Sequence, residues 1–166
     1  MTEQAVTTLR ALLGHMGIEA EVKGSEAEDH VLLDVTGPET GLVIGKKGAT
    51  LDAIQFLVNK ILATEALHAG VSEASRKPVY VDAEGYRQRR AESLLELAHK
   101  LAAKAMKTKR PVAVDPMSPA DRRVMHVALA NTPGLTTRSE GEGAQRRLMI
   151  IPDPNFDFGP QEDHGE

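Results

Sequence analysis

One short segment of the sequence, Gly45-Lys46-Lys47-Gly48, has residue types that suit an anionic ligand. Glycine lacks a Cβ atom, so its backbone can approach a ligand closely and adopt dihedral angles that other residues avoid. The amphipathic pattern after Gly48 predicts a helix, and the N–H groups at the start of a helix favour phosphate. The two lysines add charge that releases counterions on neutralising phosphates. We therefore expect this segment to contact a nucleic-acid backbone.

A bare Gly-x-x-Gly pattern also occurs in ordinary turns between helices, where the lysines would only be solvated. Here the flanking sequence favours a binding loop, because a short apolar segment (residues 41–44) and two predicted strands precede it. Other phosphate-binding patterns do not fit, since neither Ser nor Thr follows Gly45-Lys46 and the sequence has no Gly-x-Gly-x-x-Gly. We expect bases to lie in an apolar groove beside the loop, lined by Leu42, Ile44, Leu51 and Ile54.

A second candidate site is centred on Arg122 and His126, which share one face of a predicted helix because they lie four residues apart. The planar guanidinium of arginine suits phosphate, and the imidazole can donate to a phosphate or stack on a base. An isolated pair of this kind is more often an incidental part of a helix surface. Further basic residues on the same helix and on two predicted strands favour a binding site here: Arg123, Arg138, Arg146 and Arg147.

The sequence favours a binding protein over an enzyme. No nucleophile or carboxylate pair with a motif of its own accompanies His126, and the six histidines do not occur at metal-ligand spacing. We expect no metal, no cofactor and no small-molecule substrate. The absence of cysteine excludes disulfides, zinc–cysteine sites and thiol catalysis, and it favours a cytoplasmic location. No apolar run of 18 residues is present, so we expect no membrane insertion.

Charge is distributed unevenly along the chain, although the net charge is only -4. Residues 76–126 carry 12 basic and 6 acidic side chains, whereas residues 1–75 carry 5 and 11 and residues 127–166 carry 3 and 7. A basic segment of this kind suits nucleic acid, although it could also be ordinary solvated helix surface. The aromatic content of 3% is too low for an RNA-binding sheet that stacks bases on aromatic rings.

Periodicity predicts a chain that contains both helices and strands. Apolar residues at helical spacing predict helices over residues 5–16, 51–62 and 86–107, and Ser118-Pro119 begins a fourth, with Ser as the cap and Pro at the first position. The residues predicted on the apolar face of the second helix are Leu51, Ile54, Leu57, Val58, Ile61 and Leu62, and those predicted to be buried on the third are Leu94, Leu97, Ala98, Leu101 and Ala105. Residues 64–77 read as a helix end and a loop. The predicted strands are residues 18–23, 30–35, 79–81, 112–114, 135–139 and 148–151.

Two motifs with their flanks resemble a known bacterial family. Residues 42–48 with residues 50–55 resemble the KH domain of Jag proteins, also called KhpB, and residues 81–87 resemble their linker. Pro116-Met117 followed by residues 122–126 resembles the R-x-x-x-H ("R-three-H") domain of that family, and residues 139–142 with Arg146-Arg147 resemble its closing hairpin. The resemblance covers about residues 5–151.

The resemblance implies an α+β fold with three parts. These are a type II KH domain (α-β-β-α-α-β) over residues 1–82, an α+β R-x-x-x-H domain that binds single-stranded nucleic acid over residues 83–152, and an acidic tail over residues 153–166. The composition of the tail predicts disorder. Many family members carry a further N-terminal domain, and we expect this chain to begin directly at the helix that leads into the KH domain.

The same resemblance implies single-stranded RNA binding and post-transcriptional regulation, linked to cell elongation, division and shape. It also implies a second small KH protein (KhpA-like) as a partner. The competing interpretation is an adaptor whose KH groove holds a partner protein instead of RNA. Lys46 and Lys47 favour RNA, because acidic or missing residues at these positions would be expected of a KH domain that does not bind it.

Overall fold

A computed structural model describes residues 1–72 and 76–159. The chain divides into two compact units, Met1–Arg87 and Gln88–Glu166, which are described separately below. No helix within the described residues is both long enough and apolar enough to cross a membrane.

The first unit has the element order α-β-β-α-α-β, as expected of a type II KH domain. Its sheet has the order β1-β2-β3, with β1 antiparallel to β2 and β2 parallel to β3. A single 3-10 turn, Lys46–Gly48, separates the second and third helices. The elements are α1 (Thr2–His15), β1 (Glu21–Glu26), β2 (Val31–Thr36), α2 (Thr40–Ile44), α3 (Ala49–His68) and β3 (Val79–Ala83).

The core of the first unit is made by the apolar faces of α1 and α3 and by alternate residues of the strands. The strand β2 shows the alternation clearly, since Val31, Leu33 and Val35 are fully buried. Helix α3 buries a narrower face than the sequence predicted. Leu51, Ile54, Val58 and Leu62 are buried, whereas Leu57 is 44% exposed and Ile61 is 36% exposed.

Two element boundaries in the first unit differ from the predicted ones. The first strand begins at Glu21 instead of residue 18, because Gly17 has a positive φ of 72° and the N–H of Ile18 donates to Leu13 O at 3.0 Å, which completes the end of α1. Helix α3 continues to His68, although residues from 64 onward were predicted as a helix end and a loop. The predicted boundary was wrong because residues 65–67, Glu-Ala-Leu, are all strong helix formers.

The second unit is a small α+β structure, as predicted. Its sheet has the order β4-β6-β5, and both strand pairs are antiparallel. Helix α4 begins at Tyr86, so its first two residues belong to the first unit. The elements are α4 (Tyr86–Thr108), β4 (Val112–Ala113), α5 (Pro119–Leu129), β5 (Leu135–Glu140) and β6 (Arg147–Pro152).

Helices α4 and α5 supply most of the second core. Most of the residues predicted to be buried on α4 are buried, but Leu97 is 38% exposed and Ala102 is buried in its place. A charged pair crosses between the helices, because Arg90 Nη2 donates to Asp121 Oδ2 at 2.8 Å. The N-terminus of α5 follows the prediction, with Pro119 at its first position and Ser118 Oγ accepting the N–H of Asp121 at 3.1 Å.

The acidic tail was predicted to be disordered from residue 153, but residues 153–159 make defined contacts with the second unit. The N–H of Asp153 donates to Gly134 O at 2.8 Å. The rings of Phe156 and Phe158 lie 5.0 Å apart and cover Gly134, and Phe158 packs against the second core. Two aromatic side chains therefore anchor this stretch despite its acidic composition. Residues 160–166 lie outside the described residues.

Candidate functional site

The segment Gly45-Lys46-Lys47-Gly48 forms a tight loop between α2 and α3. Three of its residues have positive φ angles, which are 68° at Gly45, 54° at Lys47 and 82° at Gly48. Lys46 and Lys47 are exposed, whereas Gly48 is buried. The backbone of the loop is therefore fixed against the unit while both lysine side chains extend into solvent.

Both glycines are required by neighbouring side chains as well as by their dihedral angles. A Cβ atom on Gly45 would overlap Thr50 Oγ1 and lie 2.7 Å from Thr50 Cβ. A Cβ atom on Gly48 would lie 2.8 Å from Cε1 of Tyr86. The sequence analysis explained these glycines by the close approach of a ligand to the backbone. The structure adds an internal reason, which is the packing of Thr50 and Tyr86 against the loop.

The N-terminus of α3 adjoins this loop and has no side-chain cap. A helix leaves its first N–H groups without partners inside the helix, and these groups attract anions. The carboxylate of Asp52 lies in the first turn, but Arg87 Nη1 donates to Asp52 Oδ1 at 2.9 Å and offsets its charge. The end of α3 that faces the loop is thus suited to a phosphate.

The predicted apolar groove is wrong in part. Leu51 and Ile54 are buried in the core, 0% and 2% exposed, so they cannot contact a base. Leu42 is 59% exposed and Ile44 is half-buried. Helix α3 turns the face that carries Leu51 and Ile54 toward the sheet, and the apolar side chains that it leaves exposed include Phe56 and Leu57.

In the second unit, an open pocket of about 370 Å³ adjoins α5 and the strands β5 and β6. Arg122, Arg123 and His126 line it together, as their spacing on the helix predicted. The other lining residues are Pro119, Thr137, Ser139 and Leu148. Three cationic or ionisable side chains and two hydroxyl groups in one concave surface can donate several hydrogen bonds to an anion.

The guanidinium of Arg122 is hydrogen-bonded to backbone carbonyls of the second unit. Its Nη1 donates to Met117 O at 2.6 Å and lies 3.4 Å from Arg146 O. These bonds connect α5 to the segment that precedes it and to the residue before β6. Arg123, in contrast, is exposed at the pocket. The structure therefore gives Arg122 a bracing role and leaves Arg123 as the more accessible cation.

His126 contacts Thr137, with its Nδ1 in hydrogen-bond contact with Thr137 Oγ1. This contact fixes the ring across the gap between α5 and β5. The opposite ring nitrogen, Nε2, is then the atom that can meet a ligand, since the side chain is exposed.

Strand geometry separates the remaining predicted arginines from the pocket. Thr137 and Ser139 face α5, so Arg138 lies on the other face of β5, where its guanidinium pairs with Glu140. Arg147 is the register partner of Glu140 and shares that outer face. Arg146 precedes β6, and its carbonyl is the one that Arg122 approaches. The predicted basic cluster is therefore divided between two faces of the sheet.

Sequence reasoning did not select Thr137 and Ser139 as site residues. The alternation of residues along β5 could have indicated them, because Thr137 and Ser139 lie on the same face of the strand as the buried Leu135. It also did not select Tyr86 or Arg87, because only tertiary structure brings them to the loop and to α3.

Two family models match the chain in regions that contain these two sites. The model described as KhpA/KhpB, KH domain, matches residues 3–72, and the model of the R-x-x-x-H (R-three-H) domain matches residues 92–152. The RNA-binding protein KhpB of Bacillus subtilis (strain 168) is 33% identical over 150 residues, which are 89% of this chain and 69% of that protein. The chain belongs to the KhpB family.

Other relatives cover the chain to a similar extent. The RNA-binding protein KhpB of Clostridium symbiosum is 37% identical over 136 residues, 82% of this chain and 58% of that protein. The KhpB protein of Lactiplantibacillus plantarum is 32% identical over 142 residues, 86% of this chain and 42% of that protein. This KhpB-family chain thus spans little more than half the length of the first of these two relatives. The KH match includes the loop Gly45–Gly48, and the R-x-x-x-H match includes the α5 pocket.

Proposed function

We propose that this protein binds single-stranded RNA with both units and regulates the RNA after transcription. The observation that carries the proposal is the loop Gly45–Gly48 with its two exposed lysines at the uncapped start of α3. A Gly-x-x-Gly loop of this kind holds the backbone of about four nucleotides in KH domains. The relatives named above support the proposal, because each carries the name RNA-binding protein KhpB.

In the first unit, the phosphates would lie against the loop backbone between Gly45 and Gly48, with Lys46 and Lys47 supplying charge. In the second unit, Arg123 and His126 would contact single-stranded RNA from the pocket, and Arg122 would hold the pocket in shape. Arg138 and Arg147 on the outer face, and the exposed Arg146 before β6, would extend the positive potential beyond the pocket. The role proposed for each residue follows from where its side chain lies.

Binding without chemistry is part of the proposal. None of the residues that line the α5 pocket is a carboxylate, so His126 has no acidic partner among them that would orient it as a general base. An assay with purified protein and end-labelled RNA, with and without divalent cations, tests this. Specific cleavage that is lost in His126→Ala would contradict it.

We place the protein in the cytoplasm, where messenger and regulatory RNAs are found, and we connect it with cell elongation, division and shape through the KhpB resemblance. Crosslinking in cells followed by sequencing of the attached RNA would identify the targets. Enrichment of transcripts for envelope or division functions, lost on deletion of the loop lysines, is the expected result. A crosslinked pool no different from that of an unrelated protein would contradict the regulatory role.

Salt dependence is the direct test of RNA binding. If a KH loop contacts about four phosphates, the affinity for a single-stranded RNA should fall with a log–log salt slope of about -3 or steeper. The slope is measured by fluorescence anisotropy with a labelled oligonucleotide between about 50 and 300 mM salt. Binding that does not change over this range would rule out a phosphate-dominated site.

The two adjacent arginines of α5 should respond differently to removal. Arg122→Ala should lower the free energy of unfolding by about 1 to 2 kcal/mol, because two carbonyl groups lose a charged donor. Arg123→Ala, the matched neighbour, should leave stability within about 0.5 kcal/mol. It should weaken RNA binding by about fivefold, since it removes one exposed charge. Urea denaturation and anisotropy measure the two quantities, and equal effects of both changes on stability would refute the bracing role of Arg122.

The exposed apolar side chains of α3 favour a protein partner in addition to RNA. Phe56 is 60% exposed, Leu57 is 44% exposed and Ile61 follows one turn later. A second small KH protein (KhpA-like) is the partner that we propose for this face, and the adaptor function would rest on it.

Leu57→Glu combined with Ile61→Glu should abolish association with that partner, because two charges would be buried without counter-ions. Size-exclusion chromatography with light scattering of the two purified proteins measures the loss, and Gln88→Ala, an exposed position on α4, is the control. RNA affinity of the isolated chain should stay within about twofold of the unaltered protein. Retained association would refute this partner surface.

A further inference from the structure

The segment from the end of β3 to the start of α4, residues 82–87, contacts the loop Gly45–Gly48 and the start of α3. From this geometry we infer that Tyr86 and Arg87 are positioning residues for RNA binding at the loop, so that this segment is part of the site and not a spacer between units. The inference rests on the proposed function, because it concerns the same loop.

Tyr86 supports the loop from the protein side. The ring edge at Cε1 lies 2.8 Å from where a Cβ of Gly48 would be, and the hydroxyl oxygen lies 3.2 Å from the same point. The side chain is half-buried and packs against the first core. Gly48 is the residue at which the loop passes into α3, with a left-handed φ of 82°. The ring of Tyr86 thus occupies the space that fixes the loop at this point.

Arg87 connects the same segment to α3 and β3. Its Nε donates to Val81 O at 2.8 Å, its Nη1 to Asp52 Oδ1 at 2.9 Å and its Nη2 to Gln55 Oε1 at 3.2 Å. Gln55 in turn accepts the N–H of Val81 at 2.9 Å. The three donors of one guanidinium therefore hold the first two turns of α3 against the end of β3.

The charge of Arg87 also matters at the loop. Asp52 lies in the first turn of α3, where its carboxylate would repel a phosphate bound at the helix start. The ion pair with Arg87 is about two-fifths exposed on the Asp52 side, so its main effect is to offset that negative charge and not to add stability. Removing Arg87 would leave an unpaired carboxylate beside the phosphate position.

The backbone of the segment is fixed by its own turn. Glu84 and Gly85 have φ angles of 52° and 72°, which reverse the chain after β3. The N–H of Arg87 donates to Asp82 Oδ1 at 3.1 Å, and the N–H of Gly37 donates to Glu84 Oε1 at 3.4 Å. Because this turn places the first residues of α4 on the loop, loop geometry and the start of α4 depend on each other.

The test uses the full chain with Tyr86→Ala, Tyr86→Phe and Arg87→Gln, and with Gln88→Ala as a control on the same helical turn. Gln88 is exposed and its side chain donates to Glu92 Oε1 on the next turn of α4. Amide chemical shifts of residues 45–48, measured by NMR without RNA, report loop geometry. Anisotropy with a short single-stranded RNA at several salt concentrations reports binding.

Tyr86→Ala should shift or broaden the amide signals of residues 46–48 and weaken RNA binding about tenfold, because the loop is no longer preorganised. Its log–log salt slope should become shallower by about one unit, as the lysines lose their phosphates. A loss of global stability alone would not change that slope. Tyr86→Phe keeps the ring and should stay within about twofold, and so should Gln88→Ala. Arg87→Gln should weaken binding about fivefold, since Asp52 is left unpaired.

The outcomes distinguish this inference from the proposed function. Unchanged loop signals and unchanged affinity in both Tyr86→Ala and Arg87→Gln, in a protein whose unaltered form binds RNA, would overturn the positioning role alone. An unaltered protein that does not bind RNA would refute the proposed function. The loop signals would then still decide whether Tyr86 and Arg87 fix the loop. If Tyr86→Ala does not fold, Tyr86→Leu and Arg87→Gln provide the same readouts.

Discussion

Replacing Lys46 and Lys47 together by aspartate should weaken binding of single-stranded RNA by at least about a hundredfold near 0.1 M salt. Both side chains are exposed on a loop whose backbone is fixed by its neighbours, so the new carboxylates would extend from the same two backbone positions as the lysines. The change removes two counterion-releasing contacts and introduces repulsion at the same place. Because neither lysine contributes to a core, the unfolding transition in urea should shift little.

A control with the same change in net charge separates local repulsion from a general electrostatic effect. Lys23 on β1 and Lys60 on α3 are exposed in the same unit, and Lys60 lies 12 positions beyond Gly48, about 18 Å along the helix. The variant with both of these replaced by aspartate should lose no more than about threefold in affinity. Equal losses in the two double variants, measured by anisotropy in one buffer, would show that the loop is not the site.

Gly45→Ala should lower the free energy of unfolding by about 3 kcal/mol. With φ 68° and ψ -168°, Gly45 occupies a backbone region that is essentially restricted to glycine. An added Cβ would also overlap Thr50 Oγ1, and the first turn of α3 leaves Thr50 little room to move. The variant should therefore either unfold more readily or displace the loop, and in both cases RNA affinity should fall with stability.

Gly41→Ala is the matched control for this substitution. Gly41 lies within α2, its φ is not positive, and nothing lies within 4 Å of the position of an added Cβ. Alanine there should leave stability unchanged or raise it by up to about 1 kcal/mol, because it reduces the freedom of the unfolded chain. Urea denaturation of both variants measures the difference. Similar stabilities for Gly41→Ala and Gly45→Ala would contradict the conformational requirement at Gly45.

The local pattern of the sequence was sufficient to predict most of the secondary structure. Helical spacing located α1, α3, α4 and α5, and Ser118-Pro119 marked the start of α5 because the cap and the fixed φ of proline act within one turn. The Gly-Lys-Lys-Gly segment with its flanks was specific enough to indicate the KH family. Each of these features depends on residues that are close together along the chain.

The burial of individual side chains, and the face of the sheet on which they lie, could be predicted less accurately, because both depend on which neighbouring element covers a surface. The spacing of α3 placed Leu57 with the buried residues, yet the sheet covers a narrower sector and leaves Leu57 exposed. The acidic composition of the tail predicted disorder, yet Phe156 and Phe158 find a partner surface at Gly134. Arg138 appeared to join the α5 pocket until the register of β5 placed it on the outer face.

By itself, the sequence determined the types of the elements, their order and the two motifs, because hydrophobic period, capping and glycine chemistry are local properties. Only the tertiary structure decided that Thr50 and Tyr86 require the two loop glycines, that Arg87 holds the start of α3, and that Arg122 is a brace. Most of these contacts join residues far apart in the sequence. Their geometry follows from how the helices pack on the sheets, which no local pattern specifies.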